Sequence, residues 1–120
     1  MTNKEIILEI YQNDGLRNRD FLNEVLLPQF EMEWQSSSDL TILDKNQILN
    51  LADELKGNYA TSNIDINYLI EEENKICIAY KHFATTIENT RDFQLIARFI
   101  TIWEFENGKI LKGYQISKPT

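Results

Sequence analysis

Apolar residues recur at helical spacing at Ile6, Ile7, Ile10 and Tyr11, and Asp14-Gly15 supplies a stop, so a first helix runs from Lys4 to Asn13. A second periodic segment, Phe21, Leu22, Val25 and Leu26, ends near Pro28, because the residue before a proline is pushed out of the α region. Phe30, Met32 and Trp34 then alternate with Glu31, Glu33 and Gln35, the pattern of a strand with one buried face, until Ser36 to Asp39 break it. The next helix is the best marked. Asp44 and Gln47 form a capping-box pair, Ile48, Leu51, Ala52 and Leu55 make one stripe, and Gly57-Asn58 ends it.

The second half reads as strands: Ile64 to Ile70, Lys75 to Ile87, Phe93 to Phe105 and Ile110 to Ile116. Turn-like Glu71-Glu72-Glu73-Asn74, Glu88-Asn89-Thr90-Arg91 and Glu106-Asn107-Gly108 separate them, which predicts consecutive antiparallel strands. A strand of thirteen residues would be roughly 43 Å long at about 3.3 Å per residue, too long to lie flat in so small a domain. The sheet must therefore bend, and the helices are the only material available to fill its concave face.

The 120 residues fit a single domain with one core, and four Gly and two Pro leave no room for a flexible linker or a repeat. A formal charge of -7, with its twelve Lys and Arg scattered, argues against binding a phosphate backbone, so no nucleic-acid partner is expected. The apolar run near the N-terminus is shorter than a signal peptide requires, and no stretch approaches the ~20 residues of a membrane helix. Cys77 is the only cysteine and sits in an apolar strand run, where it packs as a small hydrophobe. Cytoplasmic residence without a membrane partner is the default that follows.

The string Phe99-Ile100-Thr101-Ile102-Trp103-Glu104-Phe105-Glu106-Asn107-Gly108-Lys109-Ile110, with the helix-helix-strand-helix-sheet order before it, resembles the nuclear transport factor 2-like superfamily, closest to its SnoaL-like branch. The resemblance implies an α+β fold in which a strongly curved antiparallel sheet wraps around N-terminal helices, a cystatin-like cone. Members include ketosteroid isomerases, polyketide cyclases, dehydratases, epoxide hydrolases and non-catalytic binding or adaptor domains, so fold alone does not choose a function.

Which strand face looks into the cone depends on the Glu106-Asn107-Gly108 turn. A two-residue turn and a three-residue loop with a glycine bulge differ in register by one, and one step reverses the face. The bulged form places Phe99, Thr101 and Trp103 inward beside Leu111, Gly113 and Gln115, in agreement with the pocket positions of the resembling isomerases. Ile100, Ile102, Tyr114 and Ile116 then form an exposed apolar strip suited to homodimerisation through the outer sheet face. On this register Thr101 stands where the isomerases carry their oxyanion-stabilising acid. Trp34 stands at or beside the position of their base, with Glu33 and Gln35 pointing the other way, which disfavours isomerase chemistry of that kind.

His82 is the only histidine. Facing the cone it could act as a general base at neutral pH; facing out it would pair with Arg98 or a carboxylate. Trp34, Tyr59, Phe99 and Trp103 could line a pocket for a flat, largely apolar ligand or be plain core. A buried Gln115 must be hydrogen-bonded, either to a neighbour or to a ligand. Glu71 to Glu73 read as a solvated turn, neither Gly108 nor Gly113 makes a phosphate loop, and no spacing of His or Cys suggests a metal site. No cofactor is expected. The sequence thus points to a binder of a small apolar molecule, with a cofactor-independent isomerase, cyclase or dehydratase and a protein adaptor as alternatives.

Overall fold

The computed structural model describes residues 1–120. Helices α1 (Asn3–Gln12), α2 (Arg19–Val25) and α3 (Lys45–Asn58), with a short 3-10 turn at Gly15–Arg17, pack on one face of a six-stranded sheet. The strands are β1 (Leu26–Gln35), β2 (Leu40–Asp44), β3 (Tyr59–Glu72), β4 (Lys75–Thr86), β5 (Gln94–Glu106) and β6 (Lys109–Pro119), in the spatial order β2-β1-β6-β5-β4-β3. No helix is long and apolar enough to cross a membrane.

Local chemistry explains the ends. Thr2 and Glu5 make a capping box at α1, and Asp44 and Gln47 make the expected one at α3. Strands β3 to β6 pair antiparallel in sequence order, as the turns predict. The sheet as a whole is mixed rather than antiparallel, because β1 lies parallel to β6. Ser36 to Asp39 do not end the strand region but turn it. The Ser36 N–H donates to Asp39 O, and the chain returns as β2, a short edge strand with only Leu43 half-buried, too weakly patterned to see. The second helix ends at Val25, and Pro28, which has no N–H to give, sits in the irregular stretch where β1 slips its register against β6.

The turn between β5 and β6 decides the register. Asn107 (φ 52°) and Gly108 (φ 81°) are both left-handed and Glu106 pairs with Lys109, so the turn has two residues rather than the expected bulged three. The extra residue comes later: Phe105 pairs with Ile110 but Glu104 pairs with Lys112, leaving Leu111 as the bulge. Thr101, Trp103, Gly113 and Gln115 therefore all face inward, while Leu111 is half-buried and leaves the inward row. Ile6, Ile7, Ile10 and Tyr11 of α1 and Ile48, Leu49 and Ala52 of α3 fill the concave side against Phe30, Met32, Ile76, Ile78, Tyr80 and Phe105.

Candidate functional site

Pairing across the sheet stacks the inward residues into rows. Trp34, Gln115, Thr101 and Ile78 make one; Ser117, Phe99, Tyr80 and Ile66 the next; Ala97, His82 and Ile64 the third. The narrow end of the cone is closed. Trp103 is 4% exposed, faces Phe30 and donates its indole N–H to Tyr11 Oη over 3.0 Å, so it belongs to the core and lines no opening. Thr101 is fully buried and donates to Gln115 Oε1 over 2.8 Å.

The wider end carries a string of rings. Tyr59 meets the His82 ring edge-on at 6.2 Å, His82 lies 6.4 Å from Phe99, and Phe99 lies 6.3 Å from Trp34 while stacking on Tyr80 at 5.0 Å. Tyr59, Phe99 and Trp34 are only half-buried, so the string borders open space where the helices end. A cavity of about 350 Å³ beside Trp34 is lined by Leu43, Leu51, Gln47, Asn50 and Glu54. The six residues expected as pocket wall divide by burial: Trp34, Tyr59 and Phe99 are half-buried, whereas Gln115, Thr101 and Trp103 are buried. Five surface cavities of about 250 to 470 Å³ are lined by none of Thr101, Trp103, Gln115 and His82.

His82 faces the cone, which the sequence left open, and is 5% exposed; it does not pair with Arg98, whose strand partner is Lys81. Its Nε2 shares a 2.7 Å hydrogen bond with Ser62 Oγ. Burial, and then the nearby Arg17 guanidinium, hold the imidazole below its ordinary pKa, with Asp14 opposing, so the ring is neutral at pH 7. Every fully buried side-chain nitrogen or oxygen has a partner. His82 Nδ1 and the Gln115 amide nitrogen, which have none within the protein, are therefore reached from open space. Trp34 gives its own N–H to Ser117 Oγ at 2.8 Å and presents only its ring.

Two buried phenols, Tyr11 and Tyr80, lie beside these rows. Tyr11 Oη accepts from the Trp103 indole N–H at 3.0 Å, and its ring packs on Tyr80 at 4.7 Å. Burial pushes Tyr11 up to about 12 and Tyr80 well above 10, so both remain neutral donors. The buried polar groups of this row are uncharged: Thr101 donates to Gln115, and Tyr11 accepts from Trp103. No group of three or more His, Cys, Asp or Glu could hold a metal ion.

No family model and no curated protein matches the sequence. Solved structures do. A candidate polyketide cyclase from Streptomyces antibioticus, IdmH, superposes with a TM-score of 0.75 at 10% identity, over 95% of this chain and 90% of that one. A candidate SnoaL-like polyketide cyclase from Jannaschia sp. CCS1 gives 0.73 at 11% identity, over 96% and 84%. An NTF2-like protein of unknown function from Burkholderia pseudomallei K96243 gives 0.68 at 15%, over 94% and 88%. This chain has the nuclear transport factor 2-like fold. In its nuclear transport factor 2-like cone Thr101 is fully buried and Trp34 half-buried on the inner face.

Proposed function

We propose that the protein binds a small, planar, largely apolar molecule at the mouth of the cone, against Trp34, Phe99 and Tyr59, with Gln115 and His82 as its polar contacts. The observation that carries this reading is the pair of nitrogens without protein partners, Gln115 Nε2 and His82 Nδ1, on residues more than nine-tenths buried beside a half-open string of rings. Both nitrogens are open to a hydrogen-bonding partner from outside the protein, the Gln115 amide as a donor. The two inner polar contacts, Gln115 and the neutral His82, carry no charge, and Glu54 in the wall beside Trp34 disfavours an anion, so an uncharged ligand with one or two carbonyl or hydroxyl oxygens fits. Titration of a panel of planar ketones and phenols, followed by Trp34 and Trp103 fluorescence and by melting temperature, tests it. Binding quenches the indoles and raises the melting temperature by mass action. A panel that moves neither overturns it.

A second reading keeps the same mouth and adds catalysis by a cofactor-independent isomerase, cyclase or dehydratase, with His82 moving the proton. It is favoured by the open Nδ1 on a neutral imidazole and by the candidate cyclases among the similar structures. His82→Ala should then abolish turnover of a bound ligand while the fold persists, and retained turnover would exclude it. The outer sheet face, with Ile100, Ile102, Tyr114 and Ile116 between 37% and 52% exposed, is the proposed homodimer interface. An adaptor role would instead leave that face free for another protein. Cytoplasmic residence belongs to the same proposal.

A further inference from the structure

Ser62 and His82 form a second constellation, on the side of the histidine turned away from the ligand nitrogen. Ser62 Oγ lies 2.7 Å from His82 Nε2. The same serine lines a cavity of about 250 Å³ between the free edge of β3 and the end of α1, with Asn63, Ile64, Tyr11 and Leu16 among its walls. We propose that Ser62 and His82 are a nucleophile and base that take a small acyl group from an uncharged ester and release it to water. The first requirement of such chemistry is a hydroxyl within hydrogen-bond reach of a base, and the distance meets it. The second is a base in the right protonation state. His82 is neutral at pH 7, with burial and Arg17 holding it down and Asp14 pulling the other way.

The third requirement is a donor for the oxyanion. β3 is the sheet edge, and its pairing with β4 runs without a shift from Thr61 to Ile66. In such a strand alternate residues turn their N–H groups away from the partner. At least one of Ser62, Asn63 and Ile64, all of which line the cavity, therefore turns its N–H to the open edge, and no backbone carbonyl outside the sheet accepts from any of the three. A backbone N–H beside the nucleophile is the usual material of an oxyanion hole. The Tyr59 ring meets the imidazole edge-on at 6.2 Å and the Phe99 ring lies 6.4 Å from it.

In the step itself Ser62 Oγ attacks the acyl carbon while its proton passes to His82 Nε2. The acyl C–O bond breaks, and the alcohol leaves with that proton. Water, deprotonated by the same nitrogen, then attacks the acyl carbon; Ser62 Oγ departs, recovers the proton, and the acid is released. The cavity volume confines the acyl group to a short chain.

The test uses p-nitrophenyl acetate and intact-mass analysis. The full chain should give a stoichiometric burst of nitrophenol and gain one acetyl group on the peptide containing Ser62. Ser62→Ala should gain none, and His82→Gln should slow the labelling at least about 100-fold, the usual worth of a general base. Acetylation elsewhere, or labelling of Ser62 at an unchanged rate in His82→Gln, overturns the assignment. Should His82→Gln fail to fold, the pH profile of the native chain decides. As pH drops, labelling must fall through a single titration lying below the ordinary histidine range and reach a plateau above it, whereas a rate that keeps climbing with hydroxide overturns the pair. A chain that takes the acetyl group but no ligand at the mouth keeps this inference and loses the binding reading.

Discussion

Thr101 on β5 stands opposite Gln115 on β6, and its hydroxyl donates to the Gln115 amide oxygen over 2.8 Å. The pairing exists only because Leu111 is bulged out of β6; without that extra residue Thr101 would face the outward Tyr114. One bulge thus turns the amide of Gln115 into the cone.

Gln115→Leu removes the acceptor from a fully buried hydroxyl, which should cost about 1–3 kcal/mol in chemical denaturation. Adding Thr101→Val removes the stranded partner, so the double variant should recover part of that loss. A double-mutant cycle with zero coupling would mean that the hydrogen bond is not made in solution. Affinity for a carbonyl ligand should fall in both variants.

Stability should depend on pH through His82. Its folded pKa is depressed below the unfolded 6.5 by burial first and then by Arg17, with Asp14 the opposing charge. Below pH 6.5 the unfolded chain therefore binds a proton that the folded chain refuses. The stability present above pH 6.5 drains away as pH falls toward the folded pKa and is constant beneath it. Urea midpoints between pH 5 and 7.5 should show this slope in the native chain, and His82→Gln should flatten it.

The opposite sign holds for Tyr11. Its pKa rises from 10 to about 12 through burial, so its contribution is complete below pH 10 and is lost as pH climbs through that window. Tyr11→Phe should blunt the alkaline transition. It also deprives the buried Trp103 N–H of its acceptor, so a loss of about 1–3 kcal/mol at neutral pH should accompany the change.

The cone was legible because its signals are strong and local: the Asp44-Gln47 cap and the long strands separated by turn residues act within a few positions, although the length of the Glu106-Gly108 turn was not among them. β2 was not, since Leu40 and Ile42 are exposed on an edge strand and leave no alternating pattern. The parallel join of β1 to β6 depends on contacts about eighty positions apart in the chain, such as Trp34 with Gln115, which no local pattern encodes. The role of Leu111 was invisible for a similar reason. A bulge inside a strand has no composition of its own, whereas a turn glycine advertises one. At the site, Trp34, Phe99 and His82 were visible as chemistry, but Ser62, Tyr11 and Tyr80 act only through partners brought to them by the fold.

Two glycines should differ sharply on substitution. A Cβ on Gly15 would lie 2.6 Å from the Ile10 Cα and 3.0 Å from the Glu9 carbonyl oxygen, which are helix backbone and cannot yield. A Cβ on Gly113 would meet the Met32 Cε at 2.7 Å, the far end of a flexible side chain, and the Trp103 ring at 3.3 Å. Gly113→Ala should cost about 1–3 kcal/mol, the usual penalty of overpacking, and Gly15→Ala more. Thermal melts that reversed this order would contradict the packing of the 3-10 turn against α1.

The outer face of the sheet carries two apolar rows. Ile116, Ile100, Ala79 and Tyr68 form one, and Tyr114, Ile102, Cys77 and Ile70 the other, each pair adjacent across neighbouring strands. Lys118, Arg98 and Lys81 bound the rows on one side, and Lys112, Glu104 and Lys75 on the other. A contiguous apolar band with a charged rim is what a self-complementary interface needs. Ile100→Lys and Ile102→Lys place a charge at its centre and should convert a dimer to a monomer in sedimentation velocity, while leaving the melting transition of the isolated fold nearly unchanged because both side chains are exposed. If the native chain already sediments as a monomer, the band is free for a different protein, and the adaptor reading gains what the homodimer loses.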